Sequence, residues 1–336
     1  MNILFSCAGR RNYLLRYFRE ELNERGKIYA ADMSSNAPAF IEAHGSFAVP
    51  AIADDSYIPI LTDICKKYSI GLLISLNDIE LPLLARHRET FRKHGTQVLV
   101  SSSEVVDMCF DKLKTKEFLK NCKFLYPRTY ANYADAKNAL DDSTLHFPLF
   151  VKPRWGSASL QIFRTDTLEE LKLTYELAHR QLQKTLLKVD NSILPESILI
   201  QEALSGDEYG IDILNDLDGK VRSVYVKRKL AMRAGETDKS ELVNMPALHD
   251  LGRQIGNVVG HIGNLDCDVF YDGNEAVVLE MNPRFGGGYP FSHTFGANYP
   301  KAIIEWCLGL EFDTASFSRR VGSVVSKCDT LVILDK

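Results

Sequence analysis

The 336-residue sequence predicts an α/β protein, a parallel-sheet domain followed by a larger α+β portion, on three observations. Across the first 76 or so residues, short apolar strands alternate with amphipathic helices, the pattern of parallel strands joined by crossover helices. Later, strand-like runs flank the turn sequences Asp216-Leu217-Asp218-Gly219 and Asp272-Gly273-Asn274, which mark antiparallel hairpins. Finally, residues 268–290, DVFYDGNEAVVLEMNPRFGGGYP, gather acids, an amide, an arginine and a glycine run around one hairpin.

Composition bounds the function. A formal net charge of -4 and the lack of a lysine or arginine run argue against nucleic-acid or membrane-surface partners. No apolar stretch approaches bilayer length, and Met1-Asn2-Ile3-Leu4-Phe5 reads as a strand rather than a charged leader, so a cytoplasmic protein is expected. The seven cysteines are scattered without a Cys-x-x-Cys pair and are expected to be reduced thiols. The eight histidines form no zinc-binding pattern.

In chain order, Asn2 to Cys7 is an apolar strand running into Ala8-Gly9-Arg10-Arg11, after which Tyr13, Leu14, Tyr17, Phe18 and Leu22 recur at helical spacing. A strand from Ile28 to Ala31, a helix near Ile58 to Tyr68 and a strand from Gly71 to Leu76 complete a Rossmann-like pattern. A nicotinamide cofactor is not implied, because only Gly9 stands where Gly-x-Gly-x-x-Gly needs three glycines. Asn77-Asp78-Ile79-Glu80 follows a strand at the sheet's ligand-binding edge. Asn77 and Glu80 have capping-box spacing, which leaves Asp78 as a candidate for substrate. Ser101 and Glu104 read as a further cap.

Asp111-Lys112 opens a helix to about Asn121. In Phe147-Pro148-Leu149-Phe150-Val151-Lys152, the lysine ends an apolar run, a costly place for a charge that has no anion to meet. The small-residue loop Gly156-Ser157-Ala158-Ser159 can bring backbone amides over phosphates before a strand from Leu160 to Phe163. Thr167 and Glu170 cap a helix to about Leu187, and Ser197 to Glu202 is the next strand. Tyr209 to Leu214 pairs with Val221 to Leu230, and residues 228–239 read as a mobile charged loop in which Arg233 is a candidate for phosphate or carboxylate. Leu248, Leu251, Ile255, Val258 and Ile262 mark an amphipathic helix. Ala302 to Leu310 is expected to be helical, and Thr330 to Leu334 a last strand.

In the hairpin of Leu265 to Tyr271 with Glu275 to Asn282, side chains two apart share a face. Glu280, Asn282 and Arg284 can therefore converge with Asp268 of the partner strand. Carboxylates and an amide carbonyl are hard donors suited to magnesium, and arginine beside them suits phosphate. Gly286-Gly287-Gly288 would supply conformational freedom and bare amides near the reacting groups.

Glu280-Met281-Asn282-Pro283-Arg284 resembles the metal-binding signature of the ATP-grasp superfamily, in the form carried by the carbamoyl-phosphate synthase large subunit and its single-module relatives. The resemblance extends over most of the chain. It implies a Rossmann-like domain over 1–108, an ATP-grasp N-terminal lobe with phosphate flap over 109–203 and a C-terminal lobe with the metal site over 204–336. It further implies that Lys112, Lys152 and Ser157 of the flap meet the nucleotide phosphates, Glu202 and Leu204 form the adenine hinge, and Glu208 binds the ribose. Asp268, Glu280 and Asn282 would hold Mg2+, with Mn2+ as a substitute, and Arg284, Lys152 and Arg233 would balance charge during catalysis. The implied activity is ATP-dependent activation of a small-molecule carboxylate as an acyl phosphate for attack by an amine, in a protein of homodimeric habit. Phosphorylation of bicarbonate or carbamate, and a non-catalytic ATP sensor, are the alternatives. Asp78, Arg233 and Tyr289 are candidates for specificity.

Overall fold

A computed structural model describes residues 1–156, 161–182 and 196–334. The first sheet is parallel and comprises β1 (Asn2–Ser6), β2 (Ile28–Asp32), β3 (Gly45–Ala48), β4 (Ile70–Ser75) and β5 (Gln97–Val98), in the order β3-β2-β1-β4-β5. Its inner strands β2, β1 and β4 read as nearly continuous apolar runs because helices cover both faces. Ile3, Phe5, Leu72 and Ile74 are buried in one layer, and Leu4 and Leu73 in the other. Burial contributes about 1.5–3 kcal/mol for each such side chain. After β1 the chain turns at Gly9, whose φ of 51° favours glycine and whose N–H donates to Asp32 Oδ2 at 2.8 Å.

The second sheet is antiparallel and small: β6 (Thr129–Tyr130), β7 (Leu149–Pro153), β8 (Phe163–Thr165) and β9 (Ile198–Glu202), ordered β6-β9-β7-β8. The third is a larger antiparallel sheet of β10 (Asp207–Asn215), β11 (Val221–Arg233), β12 (Glu236–Leu242), β13 (Gly263–Tyr271), β14 (Ala276–Asn282) and β15 (Val324–Ser326). Its order is β14-β13-β10-β11-β12-β15. The helix Pro246–Val259 packs its apolar stripe on β10 and β11. It stops at Gly260, which is left-handed, so Ile262 lies beyond it.

The first and third sheets share a core. The helix Asn12–Leu22 packs on Tyr299–Cys307, Phe18 meets Phe285 edge-on with centroids 5.8 Å apart, and Tyr17 stacks on His293 at 3.7 Å. Helix Lys112–Asn121 packs on β14. Among the described residues no helix is long and apolar enough to cross a membrane.

Local expectations needed correction at several places. Residues 228–239 are not a loop: β11 and β12 continue to a tight turn at Ala234-Gly235. Thr330 to Leu334 is not a strand, and β15 forms earlier on the edge of β12. Ser102, not Ser101, caps the helix Ser103–Phe110, while Ser101 accepts the Ile262 N–H. That helix runs across the expected boundary at residue 108. The Glu80 carboxyl does not close a capping box; it is buried and accepts from Ser6, Tyr57 and Ser75. Burial holds its pKa above the carboxylate range against these bonds. The helix capped at Thr167 is described as Leu168–Leu182, so its expected end near Leu187 lies outside the described residues, as does Leu160.

Candidate active site

One face of the third sheet organises the site, and strand alternation explains its composition. Glu208, Gly210 and Asp212 share a face of β10, Lys227 and Lys229 a face of β11, Asp266 and Asp268 a face of β13, and Glu280 and Asn282 a face of β14. The register sets these side chains side by side: Gly210 pairs with both Lys227 and Asp268, Asp268 with Glu280, and Asp266 with Asn282. Gly210 gives the Lys227 stem its room, because a Cβ at that position would lie 3.1 Å from Lys227 Cε, and the lysine would have to shift by a few tenths of an ångström. An otherwise acidic face is thereby crossed by two lysine stems.

The two lysines differ. Lys227 is fully buried, paired with Asp212 and bonded to Ser292 at 3.3 Å. Lys229 lies at the cavity edge, with Nζ 2.6 Å from both Glu208 Oε1 and Asp268 Oδ1. Burial acts against its charge, but those two carboxylates outweigh burial and keep it an ammonium. Asp268 is pushed up to about 7 by burial, with Asp266, Glu280 and Glu208 adding to the rise and Lys229 opposing it. Glu280 is equally buried, yet Lys112, Lys152, Lys229 and Arg284 hold it below the usual carboxylate range.

The opposite wall comes from the second sheet and the helix before it. Asp111 caps the helix that begins at Lys112 and also holds Arg154 through two bonds of 2.7 Å, which ties this helix to the end of β7. Lys112 Nζ donates to the Gly156 carbonyl at 2.9 Å, and Lys152 Nζ to Gln201 Oε1 at 2.6 Å. Burial, with Lys112 close by, drops Lys152 to about 7 against the pull of Glu280. A buried lysine in this state gains most from an arriving anion.

Arg284 lies past the end of β14. Its Nη2 contacts Asp78 Oδ2 at 2.8 Å and its Nη1 contacts Asp266 Oδ2 at 3.2 Å, while its Nε is buried and finds no acceptor among the described residues. Asp78 therefore orients this arginine. The glycines that follow are explained by space rather than by backbone freedom, since none of the three has a positive φ. A Cβ on Gly286 would meet the Asp266 carboxylate at 2.0 Å, one on Gly287 the Glu236 carboxylate at 2.9 Å, and one on Gly288 Lys227 Cε at 2.9 Å.

Lys112, Lys152, Glu208, Asp268, Glu280, Asn282 and Arg284 thus line a single cavity. Glu202 and Leu204 do not line it. Glu202 accepts the Arg128 N–H at 2.7 Å, and Leu204 is half-buried just after β9. Arg233 points elsewhere, to Asp238 at 3.0 Å and Asp329 at 2.7 Å, and Tyr289 is buried in the core with its hydroxyl on the Ala297 carbonyl. Ser157 lies outside the described residues. Sequence reasoning overlooked Lys227, Lys229, Asp266, Glu236 and Arg11, although the spacing of two that linked Glu280 to Asn282 also links 227 to 229 and 266 to 268.

The donor set suits a hard divalent cation. Asp268 and Glu280 are cross-strand neighbours and Asn282 Nδ2 lies 3.4 Å from Glu280 Oε1. Among the described residues no three acidic, histidine or cysteine groups form a closed cage, so a metal here would need phosphate oxygens and waters to complete its shell.

Comparison with known proteins agrees with this architecture. Residues 3–99 match the PylC-like N-terminal domain, and residues 195–329 match the family described as ATP-grasp in the biosynthetic pathway with Ter operon. The chain is 21% identical over 206 residues to the arginine-specific carbamoyl phosphate synthase large chain of Bacillus subtilis (strain 168), covering 58% of this chain and 18% of that protein. It thus spans about a fifth of that relative's length. It is 25% identical over 242 residues to the D-alanine--D-alanine ligase of Francisella tularensis subsp. tularensis (strain WY96-3418), covering 68% of this chain and 70% of the ligase. Among solved structures, N5-carboxyaminoimidazole synthetase from Staphylococcus aureus complexed with ADP superposes with a TM-score of 0.71 at 15% identity, over 93% of this chain and 78% of that one. The L-amino acid ligase from Bacillus licheniformis gives 0.69 at 18%, over 96% and 78%. At these identities the structural likeness speaks for the fold.

Proposed function

We propose that this chain, an ATP-grasp protein similar to the carbamoyl-phosphate synthase large subunit, is an ADP-forming ligase that activates a carboxylate as an acyl phosphate for attack by an amine. The observation that carries the reading is the convergence of Lys112 and Lys152 from one wall with Asp268, Glu280, Asn282 and Arg284 from the other across a single cavity. Phosphoryl transfer needs mainly positioning and charge neutralisation, and these residues supply both.

In this reading Lys112 and Lys152 receive the nucleotide phosphates. Asp268, Glu280 and Asn282 hold Mg2+, or Mn2+ in its place; the ion, when bound, neutralises charge on the transferring phosphoryl group. Glu208, once released from Lys229, is placed for the ribose hydroxyls. Arg284 offers its buried Nε donor to the oxygen on which charge develops, with Asp78 and Asp266 fixing its plane. No nucleophile on the protein is required. The three units expected from the sequence, with the helix Ser103–Phe110 continuing across the first boundary, then act as substrate platform, nucleotide lobe and metal lobe. We place the chemistry in the cytoplasm, where the seven free cysteines would stay reduced; fractionation of the expressing cells checks this.

The test is Mg2+-dependent release of ADP and phosphate, screened over pools of small carboxylates with and without amines. Release that needs one member of each pool is expected. Release with bicarbonate and ammonia alone would move the protein to carbamoyl-phosphate chemistry, and nucleotide binding without release from any pool would contradict a ligase.

A further inference from the structure

Lys229 stands out because it touches two acids for which the reading above has separate uses. From β11 its stem crosses β10 to reach Asp268 on β13, two strands away, and its ammonium also meets Glu208 on β10, each at 2.6 Å. The side chain is only 7% exposed. Its neighbour Lys227 has the same stem and face but keeps a fully buried partner, Asp212, away from the metal-side acids. One lysine is therefore committed to the core, and the other is held by groups that a ligand would claim.

We propose that Lys229 is an internal counter-cation that occupies the metal-facing side of Asp268 until nucleotide arrives, so that the divalent ion enters only together with nucleotide. The inference rests on the ligase reading for the identity of the metal site. An ammonium 2.6 Å from Asp268 Oδ1 claims the oxygen a metal would need at about 2.0–2.1 Å, and the two cations repel at that separation. Without phosphates the remaining donors do not close a shell around an ion. Ribose hydroxyls on Glu208 would remove one of the lysine's two anchors, and phosphates would offer its ammonium a new partner. Freeing Asp268 in this way couples the nucleotide and metal sites, and such coupling is reciprocal.

Mn2+ uptake by this chain, read from the loss of the free-ion signal in electron paramagnetic resonance beyond that of a protein-free blank at the same ADP concentration, tests this without any turnover. Wild type is expected to take up Mn2+ with ADP and not without it. Lys229→Met is expected to take up Mn2+ without nucleotide, about tenfold or more tighter than wild type. Lys229→Arg, which keeps the charge, is expected to go on excluding it, with circular dichroism verifying the fold of both variants. Wild-type uptake of Mn2+ alone at the affinity seen with ADP would overturn the inference while leaving the ligase reading intact, and this arm decides even if Lys229→Met does not fold. Failure of wild type to take up Mn2+ even with ADP would remove the metal-site reading and the inference together.

Discussion

Lys152 gives the site a pH signature. Its ammonium is half lost near pH 7 in the free protein, because burial and Lys112 outweigh Glu280, and nucleotide phosphates would restore it. ADP affinity should therefore fall as pH rises through about 7. Calorimetric titrations at pH 6 and pH 8 should show this weakening, and Lys152→Gln should remove most of the affinity and shrink the difference to the part that Asp268, also pushed up to about 7, contributes. Glu280→Gln keeps the shape and removes a charge held by four cations; it should cut Mg2+-dependent turnover by about 10²–10³. An equal loss of thermal stability would mean that Glu280 is structural instead. At this scale the site was partly legible. Glu280 and Asn282 were visible as an acid and an amide following an apolar run. Lys229 was not, because residues 228–239 read as a mobile charged loop over the site when the strand pairing that buries Lys229 is unknown.

At the scale of elements, Gly286 shows how a loop is fitted to a strand. An added methyl would collide with a short, partly buried carboxylate already bonded to Arg284, so Asp266 must move and the arginine loses a support. Gly286→Ala should cost about 1–3 kcal/mol in chemical denaturation and lower turnover, whereas Gly273→Ala on the hairpin meets no atom and should show only the strain of its φ of 98°. The glycine run was conspicuous in the sequence, but its reason is spatial and depends on side chains 20 to 61 residues away. The cap at 101–104 went wrong for a similar reason: Ser101 and Ser102 are equivalent by pattern, and only the chain at Ile262 needs Ser101. Glu80 followed a capping pattern and instead became a buried acid. Its raised pKa means that its stabilising contribution is fully present below the unfolded carboxylate range and is lost as pH rises through the folded value. Glu80→Gln should remove that part of the pH dependence of unfolding, and Glu80→Ala should leave the Ser6, Ser75 and Tyr57 hydroxyls short of an acceptor at a cost of about 1–3 kcal/mol.

At the scale of the molecule, the parallel sheet and the six-stranded antiparallel sheet are joined through polar contacts as well as through a shared apolar core. Asp78 and Arg284 lie 206 residues apart and form a buried pair between these units. Asp78→Ala leaves the arginine with Asp266 and the Phe285 carbonyl, both on Nη1, and should cost about 3–5 kcal/mol, with turnover falling further than nucleotide affinity because Arg284 loses its orientation. Asp78→Asn should recover much of the stability and less of the rate. Parallel-then-antiparallel organisation was legible because apolar periodicity and turn residues are local signals. The Asp78 contact was not, because it depends on how the two units dock. The proposed reaction turns on one bond, in which an oxygen of the substrate carboxylate would attack the terminal phosphoryl group of ATP across this shared cavity. A carboxylate substrate labelled with oxygen-18 tests it directly. The label is expected in the released phosphate once the amine has displaced it; phosphate that carries oxygen only from ATP or from solvent water would rule this reaction out.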